Sequence, residues 1–378
     1  MNVTLTNAAL VMPDRVVHGT LRVAGGIIAD IQPDRTHMAA AIDLDGDFLL
    51  PGAVDLHTDN LERQVQPRAG TRWPSRSALL AHDAQCAAAG ITTVLDALCV
   101  GDLGFDEDRS RTCAEGVADL DALAPSGLLK AAHFLHLRCE LPAPGMVDLL
   151  AGLAHHPLLR LLSLMDHTPG GGQYADLARY RAMRLRDGDV LDDIEASIVT
   201  LRTQRERTRL PNRRALLALM RDRAPGVALA SHDDRTVQDV AENLADSIPI
   251  AEFPVTMAAA IAARAGGQTV IAGAPNLVRG GSHTGNVAAS ALLQAGQVDA
   301  MASDYVPASL IEAAFAAALH GVALWRAVGM IAAAPAAMVG LRDRGALAAG
   351  LRADLVRVRL HDGAPVVRQV WLAGERVI

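Results

Sequence analysis

Six side chains in this sequence have the type and spacing to do metal chemistry: His57, Asp59, Glu140, His167, His232 and Asp304. The first two lie in LPGAVDLHTDN (residues 50–60), where an apolar, β-rich run delivers them just past a strand end. Residues two apart on a strand face the same way, so His57 and Asp59 reach into one cleft and can share one cation. Imidazole nitrogen and carboxylate oxygen are ordinary ligands of zinc, manganese and iron. The other four fall at later strand ends: Glu140 closes KAAHFLHLRCE, His167 closes RLLSLMDH, His232 stands in VALASHD and Asp304 closes VDAMASD.

Three imidazoles and three carboxylates suit two divalent ions that share a bridging group. Without metal, Asp59, Glu140 and Asp304 would crowd like charges into one cleft, at a high cost of ionisation. Two ions roughly 3.5–4 Å apart lower the pKa of a bridging water and polarise the group under attack. Asp304, ligand and proton acceptor together, would take the water's proton. Each residue alone also has a structural reading: a core or turn histidine, a loop cap, a surface His–Asp pair at 166–167 or 232–233, a helix cap at Asp304. Their joint placement at strand ends favours the site. His133 and His136 lie within a strand, and at least one of them belongs inside the fold.

The elements that must position these residues follow from periodicity. Strand-like runs occur at 53–58, 91–98, 130–139, 159–166, 226–232, 248–253, 268–274 and 298–303, mostly separated by helical patterns. This α/β alternation predicts a (β/α)8 TIM-like barrel at residues 51–344, with a doubly wound sheet as the alternative. Residues 1–50 and 345–378 read as short strands with turns, and are expected to meet as a small β-sandwich. A charged, Arg-rich helical insertion at about 173–224 reads either as a solvated surface hairpin or as a basic lid over an anionic substrate.

Composition narrows the class. At 378 residues, 51% hydrophobic and with mean hydropathy +0.20, the chain is globular, and its apolar runs are too short to span a bilayer. A net charge of −7 argues against nucleic acid as a partner. The N-terminus predicts no secretory signal, and four cysteines without a CxxC pair point to a reducing, cytoplasmic compartment. An anionic substrate then needs a local positive site. GAPNLVRGGSHTGN offers one: Gly280 and Gly281 permit close backbone approach, while Arg279, Ser282, His283, Thr284 and Asn286 supply donors. Arg68, Arg72 and Arg76 are further candidates.

PGxxDxHxD after a β-rich leader, with strand-end His, His and Asp, resembles the metal-dependent hydrolases of the amidohydrolase superfamily. Its usual His-x-His opening has Asp59 in place of the second imidazole. Many members bridge their metals with a carboxylated lysine. Here the only lysine, Lys130, starts its strand about ten residues and roughly 33 Å from the far end, which leaves Glu140 as the bridging candidate. HTDNLE, MDHTPGGGQ, ASHDD, AEFPVT, GAPNLVRGGSHTGN and ASDYVP together resemble one family, from about residue 47 to 357. It is the ribosyl triphosphate diphosphatase family of phosphonate catabolism, in the carbon–phosphorus lyase pathway. The resemblance implies hydrolysis of α-D-ribose 1-methylphosphonate 5-triphosphate to the 5-phosphate and pyrophosphate. His57, Asp59 and Asp304 would hold one ion, His167 and His232 the other, and Glu140 would bridge. Two alternatives stand beside it: cleavage of a C–N bond on the same scaffold, and a silent scaffold subunit. Homo-oligomers are common in the superfamily.

Overall fold

Two sheets meet at Gly52 in the computed structural model, which describes residues 2–68, 70–104, 109–186, 188–282 and 285–378. The chain opens with β1 (Asn2–Val11), β2 (Val16–Ala24), β3 (Ile27–Pro33), β4 (Ile42–Asp43) and β5 (Phe48–Pro51). Gly52 then turns the chain directly into the barrel. A Cβ there would stand 2.0 Å from Thr92 Oγ1, so only glycine allows this close approach.

The eight predicted runs all become strands: β6 (Ala53–Thr58), β7 (Ile91–Val100), β8 (Ala132–Glu140), β9 (Leu159–Met165), β10 (Ala228–His232), β11 (Ile250–Glu252), β12 (Thr269–Gly273) and β13 (Ala300–Ala302). They pair in parallel, each with the next, in one sheet. Every residue of β6 and β7 is buried, as expected of parallel strands covered on both faces. Leu56, Leu95, Leu161, Ile250 and Ile271 fill the interior. Truncating one of these to alanine would cost about 2–5 kcal/mol.

The barrel is nearly closed, and the last join lies at the top. Asp304 N donates to His57 O (2.9 Å) and Asp59 N to Asp304 O (2.8 Å). One layer lower, Ser303 N donates to Asp55 Oδ1 (3.0 Å). The seam between β13 and β6 therefore fixes three of the six candidate residues against each other.

The C-terminal strands β14 (Leu355–His361), β15 (Ala364–Leu372) and β16 (Glu375–Arg376) return to the first five. β14 runs antiparallel to β5, so both terminal segments share one mixed eight-stranded sheet. The buried Asp47 clamps it by accepting from Arg357 (2.5 Å) and Arg359 (2.6 Å).

Helices α1 (Asn60–Val65), α2 (Ser75–Ala88), α3 (Arg109–Leu123) and α4 (Met146–Leu153) follow the first three barrel strands. The insertion forms α5 (Leu177–Arg186) and the 33-residue α6 (Leu191–Arg223). Leu201, Leu216 and Met220 of α6 join the core beneath α4. Gln204, Thr208 and Asn212 donate to the carbonyls of Pro142, Leu141 and Ala143, the loop directly after Glu140. Later helices include α7 (Val237–Ala245), α8 (Met257–Ala265) and α9 (Ala274–Arg279). Among the described residues no helix is long and apolar enough to cross a membrane.

Candidate metal centre

A cavity of about 420 Å³ opens at the C-terminal ends of the barrel strands, lined by His57, Asp59, His167, His232, Asp233 and Asp304 among others. Its acids reach it by a local backbone device. Asp233, Phe253 and Asp304, just beyond the ends of β10, β11 and β13, all adopt positive φ, between 53° and 57°. Each then gives its N–H to the next strand round: Asp233 to Glu252 O, Phe253 to Ile271 O, Asp304 to His57 O. Aspartate tolerates this left-handed conformation; phenylalanine rarely does, and such strain gathers at working sites.

The side chains form two groups, each with ligand atoms within 4.8 Å of one another: His57, Asp59 and Asp304, and His167, His232 and Asp233. The groups adjoin through the His57 and His232 rings, whose centroids are 5.7 Å apart. In the first group His57 Nδ1 faces Glu252 Oε1 at 2.9 Å, which turns Nε2 toward Asp59 Oδ1 at 3.3 Å. Glu252 is fully buried on β11, and its other oxygen accepts from Ser163 Oγ (2.6 Å). Burial works against a charged His57, yet Glu252 and Asp59 hold its pKa up at about 10 in the absence of cations. Burial, with the charge of Asp59 added, pushes Asp304 up to about 7.

In the second group Glu140 holds His167. Its Oε1 accepts from the His167 backbone N–H (2.8 Å) and its Oε2 meets Nδ1 (2.7 Å), leaving Nε2 to face the cavity. His232 Nδ1 and Asp233 Oδ2 stand 3.1 Å apart, but without the alignment of a hydrogen bond. Both His232 nitrogens and Asp233 Oδ2 are buried without a hydrogen-bond partner. Orphaned buried ligand atoms of this kind are costly unless something else meets them. A divalent cation at this mouth would take up the lone pairs in one group or offset the crowding of Asp59 and Asp304 in the other. The donor set, mixed nitrogen and oxygen, fits zinc, manganese or iron.

A further histidine–carboxylate cluster lies deeper and fits no such need. His82 Nε2 meets Asp96 Oδ1 (2.7 Å), and His133 bridges Asp96 Oδ2 (2.8 Å) and Asp83 Oδ1 (3.2 Å). Asn60 Nδ2 donates to His82 Nδ1 (2.9 Å), and the backbone N–H groups of Lys130 and Ala131 donate to Asp83. The histidine nitrogens and carboxylate oxygens of this cluster all have partners. His136, also interior, bonds Leu56 O and Ser163 Oγ.

Five predicted residues (His57, Asp59, His167, His232 and Asp304) thus meet at one mouth, and Asp233, which the sequence offered only as a neighbour of His232, joins them. Glu140 stands at the same rim, but it belongs to neither group, does not line the cavity and spends both carboxylate oxygens on His167. Of the phosphate candidates, Gly281, Ser282 and Asn286 line the cavity. His283 and Thr284 lie outside the described residues. Arg279 and Gly280 are exposed and do not line it, because Gly280 ends α9 in a left-handed turn (φ 81°) and Arg279 remains on the helix surface. Arg68, Arg72 and Arg76 stand away from the cavity. Arg68 is exposed, Arg72 donates to Thr112 and Glu115 of α3, and Arg76 to Asp119; none of the three lines the cavity. The arginines that do are Arg109, Arg138 and Arg184. Arg184 comes from α5, as do Tyr180 and Met183, so one helix of the insertion walls the mouth while α6 braces it from outside.

No family model matches the chain. It is 41% identical over 381 residues, covering 99% of each chain, to the α-D-ribose 1-methylphosphonate 5-triphosphate diphosphatase of Escherichia coli K12. Its fold is similar to that of N-isopropylammelide isopropylaminohydrolase from Burkholderia multivorans (TM-score 0.65, 18% identity, 100% of this chain and 98% of that one). It is also similar to N-acetylglucosamine-6-phosphate deacetylase from Pasteurella multocida (TM-score 0.62, 15% identity, 100% and 99%). By its full-length identity, the chain belongs to the family of the α-D-ribose 1-methylphosphonate 5-triphosphate diphosphatase.

Proposed function

We propose that this chain is a binuclear metal-dependent hydrolase that releases pyrophosphate from α-D-ribose 1-methylphosphonate 5-triphosphate and leaves the 5-phosphate. The observation that carries the reading is two adjoining ligand groups facing one cavity, in a chain 41% identical along its length to a diphosphatase of that name. His57, Asp59 and Asp304 would hold one ion; His167, His232 and Asp233 would hold the other, with Glu140 fixing His167. When bound, two divalent cations supply Lewis acidity and an acidified water at neutral pH.

The protein's own groups do the rest. Three carboxylates and one hydroxide balance two divalent cations, so an anionic phosphoryl group meets a neutral centre rather than a repelling one. Asp304 is the proton acceptor: it lies at the seam against His57, within the first ligand group, and faces the cavity where the water would be held. Glu252 keeps the His57 ring in one orientation. Gly281, Ser282 and Asn286 face the same cavity and offer backbone and side-chain donors to phosphate oxygens. Four free, buried cysteines support a reducing, cytoplasmic setting.

Phosphorus NMR of the ribosyl triphosphate with metal-loaded protein is the test. Pyrophosphate and the 5-phosphate should appear together in equal amounts. Ammonia or amine release from amide or lactam substrates, with the triphosphate untouched, would overturn the reading in favour of C–N hydrolysis.

A further inference from the structure

Counting round the barrel from β6, the two ligand groups stand on opposite sides: β6 and β13 carry one, β9 and β10 carry the other. The remaining diameter is unequal. At the β7–β8 side the cavity wall is cationic, with Arg138 near the end of β8 and Arg109 opening α3 after β7. At the β11–β12 side it is neutral, with Phe253, Pro254, Val255 and Asn276.

Arg138 is buried; burial works against its charge, and the carboxylates of Asp59, Glu62 and Glu252 sustain it. Nη1 donates to Asp59 Oδ1 (2.5 Å) and Nε to Met165 Sδ (3.3 Å). With five N–H donors on a guanidinium, most of its capacity faces no protein acceptor. Arg109 is half-buried; the Glu62 carboxylate is 3.7 Å away, and its Nε is buried without a hydrogen-bond partner. A buried and a half-buried guanidinium on one wall repel and are costly to desolvate. Asp59 and Glu62 are their protein counter-ions, and where Asp59 serves a cation the wall keeps surplus positive charge facing the cavity, which suits an anionic ligand.

We propose that Arg138 and Arg109 form a polyphosphate subsite that takes the oxygens of the β- and γ-phosphates, while the ribose lies across the mouth against Phe253, Val255 and Asn276. This assignment rests on the diphosphatase reading and gives it a direction. Water oxygen bonds the α-phosphorus and its proton passes to Asp304. The bond from the α-phosphorus to the bridging oxygen breaks, and that oxygen leaves with the electron pair as part of pyrophosphate. The arginine wall receives the charge that this step creates on the leaving group.

Arg109 gives the clean test, since it touches none of the cation ligands. Inorganic pyrophosphate and ribose 5-phosphate are titrated calorimetrically into zinc-loaded wild type and Arg109→Gln, with metal content measured in both. Pyrophosphate affinity should fall tenfold or more in the variant, ribose 5-phosphate affinity should stay within twofold, and Arg109→Lys should recover part of the loss. In turnover, the KM for the triphosphate should rise and pyrophosphate product inhibition should weaken to match. Unchanged pyrophosphate affinity at unchanged metal content, or loss confined to ribose 5-phosphate, overturns the subsite. A wild type that hydrolyses no triphosphate but still shows the pyrophosphate difference refutes the diphosphatase reading and leaves the arginine wall standing. A wild type that hydrolyses normally with no such difference does the reverse.

Discussion

Two histidine–carboxylate clusters in this molecule have nearly the same composition and opposite accounts. At the mouth, His57, Asp59, Asp304, His167, His232 and Asp233 leave several buried ligand atoms without partners, and they face a cavity. Below, His82, Asp96, His133 and Asp83 meet one another, Asn60 and two backbone N–H groups until no nitrogen or carboxylate oxygen among them is left over. Residue type does not separate a metal centre from a structural strut; the accounting of partners does. The lower cluster ties α2, β7 and β8 together directly under the rim, and through Asn60 it steadies the residue next to Asp59.

The comparison is broken most severely by Asp304→Asn. Removing the proposed proton acceptor should lower kcat for pyrophosphate release by about a thousandfold. Activity near wild type would deny Asp304 that task. Asp96→Asn addresses the other cluster. It leaves the His133 imidazolium short of a counter-charge, and should cost about 3–5 kcal/mol of stability in urea unfolding while the purified protein keeps its full metal content. Loss of metal without loss of stability would exchange the two roles.

A pH series sharpens the contrast. Although burial opposes it, the charges of Asp96 and Asp83 raise His133 from the ordinary value near 6.5 to about 9. Its contribution, on the order of 3 kcal/mol, is complete below pH 6.5 and is lost as pH rises through 9. The urea midpoint of metal-loaded protein should therefore decline across that window, and the decline should flatten in Asp96→Asn. Glu252→Gln should have the smallest effect. It keeps the shape but loses the charge behind His57, so metal affinity should weaken about 10–100-fold with little change in fold stability. A competition titration with a chelator reads that directly.

The barrel was legible because its strands are buried on both faces and separated by helical periods, so eight apolar runs stood out. His57, Asp59, His167, His232 and Asp304 were legible as strand-end residues. Asp233 was not, for a physical reason: alternation puts adjacent residues on opposite faces, whereas the left-handed turn after β10 brings His232 and Asp233 to the same cavity. Glu252 carried a usable signal, an acid inside the apolar run PIAEFPV that must find a buried partner. Arg138 carried one too, since His136, Arg138 and Glu140 share one face of β8 by their spacing of two. The Gly-rich run 279–286 misled in part. Glycine and arginine there suggested one continuous phosphate loop, but the first two residues belong to the end of α9.

Anomalous diffraction from crystals grown with manganese separates the two clusters. Two peaks per chain about 4 Å or less apart are expected, one within the His57, Asp59 and Asp304 group and one within the His167, His232 and Asp233 group, and none between His82, Asp96 and His133. A peak in the lower cluster, or a mouth that binds no ion from solution, would contradict that expectation.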